Sequence, residues 1–239
     1  MESARPQPTR PRLLSVNVGL TRTVPAAKGT VETAIWKDPV EGRVAARGGQ
    51  LEGDRQADAS VHGGHDKAVY AYAREDYDWW EEQLSRELVP GNFGENLTTQ
   101  GLDLNRARVG DRWEVGSVLL EVSEPRLPCV KLGLRMEDPR FPKRFAAAVR
   151  PGAYLRILRE GELGAGDEIR VVERPEHDVT MELMADARLN RGGHDKRLLA
   201  APGLPEKWRR RAAQAAAPSR AATPSLSAAR QHGRPSRRA

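Results

Sequence analysis

The alternation of apolar and polar residues predicts a chain built mainly from short β-strands. Runs that alternate, or that are apolar throughout and end near glycine or proline, occur at 13–19, 31–36, 67–73, 117–123 and 154–158. Two further segments share a plan in which a Gly-Asp turn precedes a short alternating strand, at 109–116 and 165–172. Many short strands with few helices indicate a mainly β fold, either a barrel or a sandwich.

Helical periodicity is confined to a few segments. Tyr77, Trp80, Leu84 and Leu88 recur at spacings of three and four, which predicts a helix over 74–88 with one apolar face. Shorter helices are predicted at 141–148, 181–184, 196–199 and 204–211. The last three follow a change from strand-like to helix-like sequence patterns and are predicted to form a small helical extension.

The distribution of charge separates the two ends of the chain from its middle. The 239 residues carry a formal net charge of +6, to which residues 212–239 contribute +5 and residues 1–12 contribute +2. The C-terminal segment is mostly Ala, Ser, Pro and Arg, a composition that predicts disorder. It has no aromatic residue on which a base could stack, so we expect no specific nucleic acid partner. The predicted organisation is a disordered N-terminus at 1–12, a β-rich domain at 13–174, a helical extension at 175–211 and a disordered basic tail at 212–239.

Several protein classes are excluded by what the sequence lacks. No run approaches the ~18 apolar residues of a transmembrane helix, and residues 1–12 contain no apolar segment typical of a signal peptide. We therefore expect a cytoplasmic protein with no membrane partner. The single cysteine, Cys129, excludes an internal disulfide and a cysteine cluster that binds metal.

Three polar segments rich in glycine or proline interrupt the β pattern, at 53–67, 91–98 and 125–131. In the first, His62 and His65 lie among acidic residues. This arrangement is compatible with zinc, with an oxyanion held by backbone N–H groups, or with a plain hydrogen-bonded loop. Loops positioned by a rigid scaffold are where functional sites usually lie.

Cys129, in the third segment, has two interpretations. It follows a predicted strand, lies just before a predicted helix start, and has Arg126 and Lys131 nearby, a setting that favours the thiolate form. Single cysteines are, however, commonly buried and inert. Spacing alone slightly favours packing over chemistry.

Four motifs in this order resemble the MOSC domain, which is related to the C-terminal part of molybdenum cofactor sulfurase. They are GDRQAD at 53–58, VHGGHDKAVY at 61–70, PGNFGENL at 90–97 and PRLPCVKL at 125–132. The resemblance covers about 13–174 and is greatest to the bacterial YiiM-like branch. Residues 178–211 resemble the three-helix extension of that branch. It implies a mixed β-barrel, similar to the β-barrel domain of pyruvate kinase, with a few helices and a small C-terminal helical extension.

The resemblance also implies a molybdopterin cofactor whose metal is bound by Cys129, since a soft thiolate suits this thiophilic metal. The implied activity is the reduction of N-hydroxylated compounds, such as N-hydroxylaminopurine-type bases, to amines. The side chains expected to take part in catalysis are Cys129, His62 and Glu95, with either of the last two as proton donor. Those expected to bind the cofactor are Asp66, Lys67, Asn92, Asn96, Arg126 and Lys131.

The electrons for such a reaction have to come from outside this chain. It contains neither a cysteine cluster for iron–sulfur nor a G-x-G-x-x-G motif after a strand, so a separate flavoprotein reductase is expected as electron donor. The alternative is that Cys129 carries a persulfide and the protein is a sulfur carrier or handles the cofactor. A homodimer remains open, and pyridoxal phosphate binding is a label of the family as a whole, with no residue assigned to it.

Overall fold

The computed structural model describes residues 10–27, 29–57, 63–189 and 193–216, which form thirteen strands, six α-helices and a short 3₁₀ helix at His65–Lys67. The strands are β1 (Arg12–Val18), β2 (Arg22–Pro25), β3 (Thr30–Thr33), β4 (Asp38–Pro39), β5 (Arg43–Arg47), β6 (Gln50–Leu51), β7 (Val69–Ala73), β8 (Leu97–Gln100), β9 (Arg112–Val115), β10 (Val118–Glu124), β11 (Ala153–Arg159), β12 (Gly161–Gly164) and β13 (Ile169–Glu173). The helices are α1 (Arg74–Leu84), α2 (Val130–Arg135), α3 (Phe141–Ala148), α4 (Met181–Leu189), α5 (Asp195–Leu198) and α6 (Glu206–Ala216).

Eight of these strands form one curled sheet with the character of a mixed β-barrel. Its order is β13-β9-β10-β11-β7-β8-β1-β4, and the pair β7 and β8 is parallel among otherwise antiparallel neighbours. The curl brings β1 back to the opposite edge, where Leu13 N donates to Asp167 O at 2.9 Å and Gly166 N donates to Leu13 O at 2.8 Å. Strand β1 therefore joins the two edges, as closure of a barrel requires. The mainly β fold predicted from the sequence is confirmed.

The barrel interior and the helical extension share one hydrophobic core. Val16 and Leu120 are fully buried inside the barrel, and Met181 and Trp208 of the extension belong to the same cluster. A second cluster, mainly aromatic, joins β7 to α1 and α3 and includes Tyr72, Tyr77, Trp80, Phe93, Phe141 and Phe145. Within the described ranges, no helix has the length and apolar character needed to cross a membrane.

Several element boundaries differ from the sequence pattern for identifiable reasons. Helix α1 ends at Leu84 and not at residue 88, because Ser85 adopts a left-handed backbone with φ 51°. The polar segment predicted at 91–98 leads directly into β8, and the interior of that strand includes Thr98, which is polar and buried. The short β5-β6 pairing, before the first polar segment, was not predicted from the sequence, and α6 continues to Ala216, beyond the boundary predicted at 211.

Candidate functional site

A cavity of about 80 Å³ opens beside Cys129. It is bounded by residues 54–57, by the 3₁₀ helix and by parts of the segments 91–98 and 125–131, so the three polar segments of the sequence meet there. Five cationic side chains line it against the carboxylate of Asp54, namely Lys37, Arg55, Lys67, Arg126 and Lys131. A cavity lined in this way favours an anionic ligand.

Cys129 occupies the N-cap position of α2, with its free thiol half-buried at the cavity. Pro125 and Pro128 restrict the backbone between the end of β10 and this helix. The cysteine side chain makes no capping hydrogen bond, and Lys131 from the first turn of α2 also lines the cavity. The packing interpretation requires a buried thiol, whereas this position leaves the sulfur accessible to a ligand.

Arg126 is buried in the cavity wall. Its guanidinium donates a hydrogen bond to the carbonyl of Phe93 and lies 5.2 Å from the centre of the Tyr70 ring. The Tyr70 ring in turn lies 5.0 Å from the ring of Tyr154. Burial raises the pKa of Tyr154 to about 12, against the opposing effect of Arg126. Arg126 therefore supplies a permanent positive charge, and Tyr154 keeps its phenolic proton at neutral pH.

Lys67 brings an ammonium group to the cavity from the end of the 3₁₀ helix. Its Nζ lies 3.9 Å from Oε1 of Glu124 and 5.4 Å from the centre of the Tyr154 ring. Burial lowers the pKa of Lys67, while the negative charge of Glu124 opposes that change. The Lys67 ammonium is therefore a stronger acid than that of an exposed lysine.

A buried hydrogen-bond network supports another part of the cavity wall. Asp54 forms an ion pair with Lys37 through Oδ1, which also accepts a hydrogen bond from Gly19 N at 2.9 Å. Its Oδ2 accepts from Asn96 Nδ2 at 2.9 Å, and Asn96 Oδ1 accepts from Tyr70 N at 3.1 Å. Asn96 thus lines the cavity while connecting this network to β7.

Glu95 does not line the cavity and instead organises its own loop. It is fully buried, and its Oε1 accepts hydrogen bonds from the Tyr77 hydroxyl at 2.5 Å, Gly91 N at 2.7 Å and the Thr98 hydroxyl at 2.8 Å. Its Oε2 accepts from Phe93 N at 3.2 Å. Burial raises the pKa of Glu95, against the effect of these hydrogen bonds. This geometry gives Glu95 a structural role in place of the proton donation expected from the motif.

Two residues expected to bind the cofactor also lie outside the cavity lining. Asn92 Oδ1 accepts a hydrogen bond from Val89 N at 2.7 Å, so its side chain holds the loop. Asp66 forms an ion pair with Arg156, with Oδ1 2.7 Å from Nε. His62, expected to take part in catalysis, lies outside the described residues.

The zinc interpretation of the first polar segment gains no support from the described residues. His65 is exposed, and the described ranges contain no group of three or more His, Cys, Asp or Glu side chains arranged to hold a metal ion. The described residues alone therefore do not supply a complete set of ligands for a metal beside Cys129.

Two cavity residues were not singled out by sequence reasoning because they lie outside every motif. Tyr154 reaches the site through the pairing of β11 with β10, where it lies opposite Glu124. Lys37 lies against the loop at Gly91, where an added Cβ would lie 2.1 Å from the Lys37 carbonyl oxygen. No local sequence pattern predicts either contact. Gly91 of the third motif is the one residue whose type reflects the contact with Lys37.

Comparison with known proteins identifies the family. The sequence profile of the MOSC domain matches residues 58–170. The chain is 35% identical over 204 residues to the uncharacterised protein YflK of Bacillus subtilis strain 168, and the match covers 82% of this chain and 90% of that protein. The chain belongs to the MOSC domain family.

This MOSC protein is also 37% identical over 174 residues to a protein named Reductase from Gibberella moniliformis. That match covers 71% of this chain and 31% of the fungal protein. The crystal structure of YiiM from Geobacillus stearothermophilus is similar with a TM-score of 0.71 at 30% identity, covering 87% of this chain and 100% of that one. The family resemblance and the fold expected from the four motifs are confirmed.

Proposed function

We propose that this MOSC protein binds molybdopterin and reduces N-hydroxylated compounds, such as N-hydroxylaminopurine-type bases, to amines. The observation that carries the proposal is the half-exposed thiol of Cys129 on a cavity with an excess of cationic side chains. The one described carboxylate in the lining, that of Asp54, is already paired with Lys37. A thiolate suits a soft metal, and cationic side chains suit a cofactor that carries phosphate. The residues present therefore fit this cofactor.

The chain contributes ligands and charge to the proposed reaction. Cys129 Sγ would bind molybdenum, and Arg126 and Lys131 would bind the anionic part of the cofactor. When bound, the cofactor supplies the two-electron redox chemistry. The overall reaction consumes two electrons and two protons, breaks the N–O bond, and yields an N–H group and water.

We assign one of the two protons to Lys67 Nζ. Glu95 is enclosed by its own hydrogen bonds, whereas Lys67 lines the cavity and has a pKa lowered by burial. A lowered pKa makes the ammonium a more effective general acid near neutral pH. The departing hydroxyl of the substrate would receive this proton and leave as water.

A separate flavoprotein reductase would deliver the electrons. The fungal relative supports an arrangement of this kind, because it is named Reductase and the matched segment makes up 31% of it. In that relative the MOSC-like part is joined to a much longer chain. In this protein we expect an equivalent donor to associate from outside.

The test is the molybdenum content of protein purified from a host that makes the cofactor. We expect near-stoichiometric molybdenum in the wild type and in Lys143→Met, which alters an exposed lysine away from the cavity. We expect a loss of molybdenum in Cys129→Ser, with a melting temperature equal to that of wild-type protein prepared without the cofactor. Wild-type protein without molybdenum, from a host that loads other molybdenum enzymes, would refute the proposal.

The accessible thiol of Cys129 also favours a second candidate, in which it carries sulfur as a persulfide. The same preparation distinguishes the two functions. Sulfur released from Cys129 by cyanide, together with absence of molybdenum, would support the sulfur carrier. Bound molybdenum and loss of N-hydroxylated substrate with reduced flavoprotein would support the reductase.

A further inference from the structure

The buried carboxylate of Glu124 connects the cavity to the C-terminal extension. Glu124 is the last residue of β10 and is 2% exposed. Its Oε1 accepts a hydrogen bond from Lys207 Nζ at 2.7 Å, and its Oε2 accepts one from Trp208 Nε1. Both donors belong to the first turn of α6. On the cavity side, Lys67 Nζ approaches Oε1 at 3.9 Å.

These contacts divide the donors of Glu124 into two kinds. A buried carboxylate is costly unless its oxygens accept hydrogen bonds, and α6 supplies one to each oxygen. The distance from Glu124 to Lys67 is too long for a hydrogen bond and corresponds to a loose ion pair. Helix α6 therefore satisfies the carboxylate and leaves the Lys67 ammonium beside the Tyr154 ring and the cavity.

The extension is held against this part of the barrel by a second contact. Arg156 of β11 donates from Nη2 to the carbonyl of Gly203 at 3.0 Å, and its Nε pairs with Asp66 at 2.7 Å. Asp66 is the neighbour of Lys67 in the 3₁₀ helix. Glu124 and Asp66, which both lie next to Lys67, are thus connected to the extension, Glu124 directly and Asp66 through Arg156.

We propose that the helical extension completes the site, because α6 satisfies Glu124 and so keeps the Lys67 ammonium directed at the cavity. Glu124, Lys207 and Trp208 are positioning residues for Lys67. Among the described residues, the charged and titratable groups that act on Lys67 include Glu124 from β10, Tyr154 from β11, Lys207 from α6 and Cys129 before α2. The inference rests on the proposed function only in that the proposed reaction uses the Lys67 ammonium as a proton donor.

The experiment measures acetylation of Lys67 by a small amine reagent, followed by peptide mass spectrometry on the full chain without cofactor. Lys143 in the same molecule serves as an internal reference, since it is exposed on α3. In Trp208→Phe, Glu124 loses a donor and closes on Lys67, so acetylation of Lys67 should fall about 3- to 10-fold, as for a rise of half to one unit in its pKa. Lys207→Met should lower acetylation at least as much, because it also removes a positive charge that lowers the pKa of Lys67. Trp208→Phe is therefore the variant that isolates the effect of Glu124.

Glu124→Gln should change the same rate in the opposite direction. Removal of the negative charge ends the ion pair between Glu124 and Lys67, while the positive charge of Lys207 still lowers the pKa of Lys67, so acetylation should rise. The matched control is Arg210→Met, which removes an exposed cation of α6 that pairs with Glu206 and not with Glu124. It should leave Lys67 unchanged.

A purely packing role for α6 gives a different result. Loosening of the helix would raise acetylation of Lys67 in Lys207→Met and Trp208→Phe as well as in Glu124→Gln, and that outcome would overturn the inference. So would equal changes at Lys67 and Lys143. Because Lys207 is half exposed, Lys207→Met should fold, and a thermal melt checks this. The assay uses no molybdenum, so its outcome is independent of the test of the proposed function.

Discussion

Replacement of Glu95 by glutamine tests whether this buried acid serves structure or catalysis. Its oxygens accept hydrogen bonds from the hydroxyls of Tyr77 and Thr98 and from two backbone N–H groups. Glutamine keeps one acceptor oxygen and presents an NH₂ group in place of the other, so at least one buried donor loses its partner. An unsatisfied buried donor costs about 1–3 kcal/mol, and the remaining hydrogen bonds weaken when the acceptor loses its charge. We expect the free energy of unfolding to fall by about 2–4 kcal/mol.

The assay is urea unfolding followed by tryptophan fluorescence. Tyr77→Phe is the matched control, because it removes one of the four donors and should cost about 1 kcal/mol. Activity per molybdenum should stay near the wild-type value in Glu95→Gln wherever the variant is folded. A Glu95→Gln protein as stable as the wild type but without activity would refute the structural role and restore proton donation.

The wild type and Glu95→Gln should also differ in how their free energy of unfolding depends on pH. Burial raises the pKa of Glu95 in the folded state above its unfolded value of about 4.3. The folded state therefore holds this proton more tightly, and the stabilising effect is complete below the unfolded pKa and is lost as pH rises through the folded pKa. The stability advantage of the wild type over Glu95→Gln should be larger at pH 4 than at pH 7. An advantage that grows with pH would contradict the raised pKa.

Three further changes have distinct expected outcomes. Lys67→Met should keep or increase stability in urea unfolding, because a buried charge is removed, but should lower kcat by about 100-fold, as expected for loss of a general acid. Arg126→Lys should cost about 1–3 kcal/mol in the same unfolding assay, because the Phe93 carbonyl loses its donor, and should reduce molybdenum content. Deletion of residues 217–239 should leave reductase activity unchanged and remove any salt-sensitive binding to DNA in a mobility-shift assay.

Sequence patterns predicted those elements whose burial follows a local period. The helix predicted at 141–148 matches α3 because Phe141 and Phe145 occupy one buried face. The sequence pattern did not predict strand β8, because the residues that its pairing with β7 buries include Thr98 and Thr99, whose polar side chains give no apolar run. Local periodicity cannot show which polar residues a long-range strand pairing will bury.

Motif membership predicted which segments meet but not which side chains enter the cavity. Cys129, Arg126 and Lys67 line it, whereas Glu95 belongs to an equally specific motif and lies behind the wall. The sequence does not distinguish a carboxylate that accepts four hydrogen bonds from within the protein, as Glu95 does, from one that faces a substrate. Tyr154 could not be found at all, because its place depends on the register of β10 with β11.

The backbone contact between Leu13 and Asp167 has a consequence for synthesis of the protein. Strand β1 is translated before the other described strands, yet it pairs with β8 on one side and meets residues 166–167 on the other. The barrel cannot close until nearly the whole domain has been translated, since residues 166–167, which contact β1, are near the end of that domain. During that interval β8 and β4 can pair with β1, but the part of β1 at Leu13 lacks the partner that residues 166–167 supply, so chains arrested before residue 166 should aggregate more readily than the complete domain.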